Sequence, residues 1–214
     1  MKAILKSNLS FLFPYLIFLL FGAVIIIANS KGNTHLEFNS YHDSFFDVFF
    51  LYITKLGDGV TAALVVIILL VVKFRYAVIV GLANIISAGI TQTLKHTLFS
   101  DVVRPKKFFE GIQDLYFVPG VENYLYNSFP SGHSTCAFSL YFSLALIVES
   151  KIYKFILFTV AFLVGYSRIY LSQHFLQDVY AGSLIGVCTS LVVFYFIQKS
   201  HKNWLQKSLI TVFK

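Results

Sequence analysis

Charged residues are scarce in this sequence. Asp, Glu, Lys and Arg together make up 13% of its 214 residues, about half of the ~25% that is usual in soluble proteins. Apolar residues reach 57%, and the mean hydropathy is +0.74. A soluble domain of this length lacks the polar surface needed to cover so many apolar side chains. The composition therefore excludes the ordinary soluble globular class and indicates a membrane protein.

Cysteine is also scarce, and carboxylates are not clustered. Cys136 and Cys188 both lie inside apolar runs. Two cysteines cannot form a disulfide framework or a usual zinc-binding pattern. No group of Asp and Glu residues has the spacing typical of a magnesium or calcium site. We therefore expect neither a metal nor any other cofactor.

The net charge of +7 does not come from one basic tract. The Lys and Arg residues flank apolar segments, which is the distribution found in membrane proteins. This pattern argues against nucleic acid as a partner and indicates the lipid bilayer instead. The sequence does not determine an oligomeric state.

Long apolar runs are abundant, and six of them are long enough to predict membrane spans. They lie at about 9–28, 58–73, 76–98, 132–149, 153–171 and 176–198. The first is longer than the apolar core of most signal peptides, which favours an uncleaved span over a cleaved leader. After a polar loop at 29–43, the aromatic segment "SFFDVFFLYITKLGDG" favours a short interfacial helix. We predict one all-α domain, 1–214, of six transmembrane helices with that short helix between the first two.

Six spans would place both termini on the same side of the membrane. If that side is the inner one, ten basic residues lie inside and seven outside. The ratio becomes ten to four when Lys95, Arg104 and Arg168 are set aside as functional residues. The positive-inside rule then predicts cytoplasmic termini. We expect a bacterial inner membrane protein with its site on the periplasmic face.

Polar residues from separate segments are predicted to meet at that outer face. Lys95, Arg104 and Arg168 bring positive charge, and arginine suits bidentate contact with phosphate oxygens. Ser131 and Gly132 precede a predicted helix, whose first N–H groups favour an anion. Each of these residues alone could be an interfacial anchor or a helix cap, but their convergence indicates a phosphate-binding site.

Two histidines belong to the same predicted cluster. Asp178 follows His174 by four residues, so the two lie on one face of a helix. A carboxylate there can keep one ring nitrogen protonated and leave the other as a nucleophilic lone pair. His133 could act as general acid and base. The residues alone do not decide which histidine is the nucleophile; the nearby carboxylate is only a hint.

At this point the sequence resembles the type 2 phosphatidic acid phosphatase superfamily, which includes membrane lipid phosphatases, soluble acid phosphatases and vanadium haloperoxidases. Its motifs are K-x6-RP, PSGH and SR-x5-H-x3-D. Here "PSGH" occupies 130–133 and "SRIYLSQHFLQD" occupies 167–178. The first motif, "KHTLFSDVVRP" at 95–105, has eight residues between lysine and arginine. That length predicts a bulge or loop there, or a different lysine at the phosphate.

The resemblance implies roles for individual residues. His174 would be the nucleophile, Asp178 its orienting partner and His133 the general acid and base. The phosphate would be bound by residues from all three motifs, Lys95, Arg104, Ser131, Gly132 and Arg168.

Together these observations predict a metal-independent phosphatase of a membrane lipid phosphate or diphosphate. Phosphatidic acid, phosphatidylglycerol phosphate, undecaprenyl diphosphate and lipid A phosphates are candidate substrates. The alternatives are a lipid phosphotransferase with the same phosphohistidine intermediate and a non-catalytic lipid-binding scaffold or transporter. A haloperoxidase is disfavoured because those relatives are soluble.

Overall fold

The computed structural model describes residues 2–212. Its helices are, in chain order, α1 (Lys2–Ser7), α2 (Leu9–Ala28), α3 (Lys31–Asn39), α4 (Ser44–Ile53), α5 (Gly59–Val72), α6 (Phe74–Thr97), α7 (Pro105–Phe108), α8 (Gly132–Ile147), α9 (Lys151–Tyr170), α10 (Leu176–Gln198) and α11 (Leu209–Val212). Two 3-10 turns, Thr54–Gly57 and Asn203–Gln206, complete the order. Lys214, one of the ten basic residues assigned to the inner side, lies outside the described residues.

The prediction of an all-α membrane protein is confirmed, but the count of six spans is not. Four helices are long and apolar enough to cross a membrane, α2, α6, α9 and α10. The 14 residues of α5 and the 16 of α8 fall short of the ~20 that a full crossing needs. A fifth crossing is obtained if α4, its 3-10 turn and α5 form one span, which is bent by 54°.

The segment between the first two predicted spans holds two short helices instead of one. The α4 helix lies where the interfacial helix is predicted, but α3 lies inside the predicted loop at 29–43. The sequence of α3 is polar and has weak helix propensity, so its stability comes from tertiary contacts. His35 on α3 is buried, and its Nε2 lies 3.2 Å from Ser172 Oγ beyond the end of α9. Burial lowers the pKa of His35 to about 4, so this ring is neutral at pH 7.

The centre of the bundle is the packing of α8 against α10. A Cβ built on Gly186 would lie 2.6 Å from Thr135 O and 2.7 Å from Ser139 N. A Cβ on Gly182 would lie 2.6 Å from Ser131 O. The two glycines therefore allow the backbones to approach more closely than any larger residue would permit. This approach aligns the first turns of the two helices.

We expect Gly186→Ala to destabilise the fold. The added methyl must push α8 away from α10, and overpacking of this kind costs about 1–3 kcal/mol. Gly89→Ala on α6 is the matched control, because a Cβ there meets no atom within 4 Å. Thermal unfolding in detergent should show a lower midpoint for Gly186→Ala only. Equal midpoints for the two variants would contradict the close packing described here.

Candidate active site

One end of the bundle collects the predicted functional residues. The α6 helix ends there, and α8 and α10 begin there; we call it the site end. The N–H of Ser131, the residue before α8, donates to the carbonyl of Asp178 in the first turn of α10 at 2.9 Å. This bond brings the "PSGH" segment against the "SRIYLSQHFLQD" segment.

His174 and Asp178 lie together and are both buried. The Nδ1 of His174 is 3.4 Å from Asp178 Oδ2, a close contact whose angles fall outside hydrogen-bond geometry. The same Oδ2 accepts hydrogen bonds from Ser128 Oγ at 2.6 Å and from the N–H of Phe175 at 2.9 Å. Two donors thus fix the carboxylate beside the ring. The expectation that both residues lie on one helix face is wrong, because α10 begins at Leu176 and His174 lies in the turn before it.

The other ring nitrogen of His174 faces an arginine. Nη1 of Arg104 lies 3.4 Å from His174 Nε2. A guanidinium can only donate hydrogen bonds, so a bond between these atoms requires a lone pair on Nε2. The ring proton then belongs on Nδ1, next to Asp178. The arrangement favours the tautomer in which Nε2 is the nucleophilic atom.

The surroundings of His174 disfavour its charged form. Burial is the largest cause, followed by the positive charges of Arg104, Arg168 and Lys95, and together they hold the pKa of His174 well below its usual value. Lowering the pKa of an imidazole keeps it neutral at pH 7 and for some distance below. A neutral His174 retains the lone pair on Nε2.

Gln173 connects two of the three cations. Its Oε1 accepts from Arg104 Nη1 at 3.4 Å and from Arg168 Nη2 at 3.3 Å. The guanidinium of Arg104 also donates to the carbonyls of Tyr126 and Gln173 at 2.9 and 3.1 Å. Arg168 Nη1 donates to Thr54 Oγ1 at 2.6 Å. Both arginines are therefore positioned by neutral acceptors, and neither forms a salt bridge with a described carboxylate.

Lys95 reaches the same cluster despite the longer first motif. It lies in the last turn of α6 and is buried, and its charge acts on His174. The helix ends at Thr97, and the N–H groups of Leu98 and Phe99 both bond to Leu94 O at 3.0 Å. The connection at 98–103 between α6 and Arg104 is not helical.

The start of α8 contributes backbone and a second histidine. Ser131 is buried, and its Oγ accepts from the N–H of Ser134 at 3.4 Å and from the hydroxyl of Ser134 at 2.9 Å. A Cβ on Gly132 would meet no atom within 4 Å, so the backbone is accessible there. Gly132 and His133, together with Asp58, line a cavity of about 620 Å³.

Three contacts of the cluster involve residues that the sequence did not single out. They are Thr54, which binds Arg168, Ser128, which binds Asp178, and Gln173, which binds both arginines. Thr54 and Arg168 are 114 residues apart in the chain, so no local pattern connects them. The position of Gln173 directly before His174 was the only available signal. Within residues 2–212, no group of three His, Cys, Asp or Glu side chains is arranged to hold a metal ion.

Comparison with known proteins gives a family match and relatives that agree with the motifs. The family model described as "PAP2 superfamily" matches residues 74–202, more than half of the chain and all eight predicted site residues. A lipid A 4'-phosphatase of Porphyromonas gingivalis is 27% identical over 187 residues, covering 85% of this chain and 79% of that protein. The bacitracin transport permease protein BcrC of Bacillus licheniformis is 38% identical over 79 residues, but this covers 37% of this chain and 38% of that protein.

Two solved structures have the same fold. The crystal structure of Aquifex aeolicus LpxE superimposes with a TM-score of 0.67 and 28% identity, covering 75% of this chain and 92% of that one. A PAP2-type phosphatidylglycerolphosphate phosphatase from Bacillus subtilis gives a TM-score of 0.58 at 24% identity, covering 92% of this chain and 99% of that one. With the motifs and the family match, these comparisons show that the chain belongs to the PAP2 superfamily and is an integral membrane phosphoric ester hydrolase.

Proposed function

We propose that this protein removes a phosphate group from a membrane lipid through a phosphohistidine on His174. The observation that carries the proposal is the placement of His174 Nε2. It faces Arg104 at 3.4 Å, while Nδ1 faces the carboxylate of Asp178. A lone pair directed at a group of cations is what attack on a bound phosphate requires.

Phosphate binding is assigned to Lys95, Arg104, Arg168, Ser131 and the N–H of Gly132. Phosphate oxygens would take up guanidinium donors of Arg104 and so free Nε2 of His174 for attack. The lone pair forms the P–N bond as the P–O bond to the lipid breaks, and protonated His133 gives its proton to the leaving oxygen. Asp178 stabilises the positive charge that develops on the phosphorylated imidazole ring.

Water completes the cycle in the second step. Neutral His133 accepts a proton from water, and the resulting hydroxide attacks phosphorus as the P–N bond breaks. Phosphate leaves, the electron pair returns to Nε2 of His174, and His133 is protonated again. Each step uses groups of this chain, the substrate and water, so the proposed reaction proceeds without a metal.

A lipid substrate is supported by the cavity at His133. Its volume is about 620 Å³, and it continues from Gly132 and His133 between α5 and α6 along Ala62, Val66 and Ile85. Apolar walls of this kind suit the hydrocarbon part of a leaving group. The names of the relatives suggest two substrates to assay, lipid A 4'-phosphate and phosphatidylglycerol phosphate. Phosphatidic acid and undecaprenyl diphosphate complete the panel.

Replacing His174 with alanine should abolish phosphate release. Loss of a nucleophile costs at least about 10³-fold in kcat when no other group replaces it. His96→Ala is the matched control, because His96 is an exposed histidine in the last turn of α6. Phosphate release from the lipid panel is measured with a metal chelator present. Activity that survives in His174→Ala, or that disappears with the chelator, would refute the mechanism.

The rate should depend on pH as a bell, because His174 must be neutral and His133 protonated. The negative charge of the bound phosphate has to favour the protonated form of His133 against burial and the nearby cations Arg168, Arg104 and Lys95. The acidic limb should lie below the usual histidine range, since the pKa of His174 is lowered. Arg104→Gln removes one of the charges that lower this pKa, so the pKa rises and the acidic limb moves to higher pH. Lys106→Gln, an exposed lysine of α7, should leave the limb in place. We would measure kcat against pH for all three proteins; an unmoved limb in Arg104→Gln would refute the assignment.

The exposed phenylalanines of α4 should act on lipid substrates alone. Phe45 and Phe46 are 68% and 48% exposed, whereas Phe50 is buried against Tyr166 and Tyr170. Replacing Phe45 and Phe46 with alanine should lower kcat/KM for a lipid phosphate several-fold and leave turnover of a small soluble phosphate unchanged. Phe50→Ala should lower both, because it disturbs packing. Equal losses for both substrates in the double variant would show that these rings do not guide lipid.

A further inference from the structure

The end of the bundle opposite the site carries a strong excess of positive charge. This far end comprises the chain start, the α5–α6 and α8–α9 connections, and the segment after α10. Its described basic residues are Lys2, Lys6, Lys73, Arg75, Lys151, Lys154, Lys199, Lys202 and Lys207. Glu149 is its one acidic residue within 2–212, since the other nine carboxylates lie toward the site end. Such a surface favours an anionic partner.

A cavity of about 440 Å³ opens at this far end between α6, α8 and α10. Its polar wall is formed by Lys73, Arg75, Tyr76, Gln198, His201 and Gln206. No carboxylate lines it among the described residues. The cavity therefore combines cations with neutral hydrogen-bonding groups.

Arg75 is fixed at the base of this cavity. It is buried, and it donates from Nη1 to Ile197 O at 2.6 Å and from Nη2 to Ser200 O at 2.7 Å. These carbonyls are neutral, so they orient the guanidinium without cancelling its charge. Three bonds at Ile197, Gln198 and Ser200 also leave some of its five N–H donors for another acceptor.

Part of the cavity lining is apolar. Ile79 of α6, Leu146 of α8 and Phe194 of α10 line it beside the polar groups. Ile79 and Leu146 are already buried, so half-buried Phe194 offers the larger apolar surface. A free phosphate ion would gain nothing from this surface, whereas an acyl chain would bury it further. The combination of a cationic wall and an apolar wall matches the boundary between a lipid headgroup and its chains.

We propose that this cavity binds the phosphate headgroup of an anionic phospholipid from the leaflet opposite the active site. Arg75 and Lys73 contact the phosphate, and His201 and Gln206 contact the polar headgroup at the rim. The lipid holds together the ends of α6, α8 and α10 and the segment that follows α10. That segment is already joined to α6 by a bond from the N–H of Phe74 to Lys207 O at 2.8 Å.

This lipid is not the substrate. Arg75 and Lys95 are twenty residues apart on α6, which separates the cavity from the active site by about 30 Å. Loss of the far-end site should therefore leave turnover of a small soluble phosphate unchanged.

The test compares anionic and neutral lipids on the purified protein in detergent. Phosphatidylglycerol and phosphatidylcholine with the same chains are titrated, and the thermal unfolding midpoint gives an apparent Kd. Inorganic phosphate and glycerophosphoglycerol, the headgroup without chains, form separate arms. Lys73→Gln is compared with Lys151→Gln, which removes an exposed lysine at the start of α9 on the same end. His201→Gln is a second cavity variant.

We expect phosphatidylglycerol to raise the midpoint more than phosphatidylcholine does. Lys73→Gln should weaken its apparent Kd about tenfold, because it removes a charge-assisted hydrogen bond. His201→Gln should weaken it by a smaller factor, and Lys151→Gln by less than twofold. Equal weakening by Lys73→Gln and Lys151→Gln, or equal shifts with the two lipids, would overturn the proposal. Equal protection by either soluble phosphate would overturn the assignment to a lipid.

Discussion

The hydrogen bond from Ser131 N–H to Asp178 O is the contact on which the arrangement of the site depends. It joins the first turn of α10 to the residue before α8 at 2.9 Å. Gly182 and Gly186 allow the two helices to come this close. Without that approach, the backbone at Gly132 and the ring of His174 would belong to separate surfaces. The close packing of two helices and the chemistry of the site are therefore consequences of the same small residues.

The electrostatics of the site follow from the kind of group that positions each charge. Arg104 and Arg168 are bound by carbonyl, hydroxyl and amide oxygens. Asp178, whose carboxylate contacts His174, accepts hydrogen bonds from Ser128 Oγ and the N–H of Phe175. Uncharged oxygens orient the guanidinium groups but do not cancel their charge, so the positive charge stays available to an anion. The far end uses the same principle, because Arg75 is bound by carbonyls.

The sequence predicts the helical class from its apolar runs, and it predicts that the motifs meet because each lies at the end of such a run. Apolar runs mark α2 and α10 at their observed bounds. The contact of His174 with Asp178 has another origin than the predicted helix face, because His174 lies in the turn before α10. The failures are tertiary. The polar helix α3 depends on contacts such as that of His35 with Ser172. The count of six spans was not confirmed because the apolar runs at 58–73 and 132–149 fold as α5 and α8, which are shorter than a full crossing. Gln173 and Thr54 are ordinary polar residues in sequence, and only the folded chain shows which cations they bind.

Gln173 has one further consequence. Its side-chain oxygen lies within hydrogen-bond distance of both arginines, and its Nε2 donates to Glu122 O and Asn123 Oδ1. Deamidation would exchange that nitrogen for oxygen and place a carboxylate between the two guanidinium groups. The carboxylate would then form salt bridges with both arginines and compete with the phosphate for their N–H donors. Replacing one nitrogen by oxygen would therefore neutralise part of the positive charge that binds the phosphate.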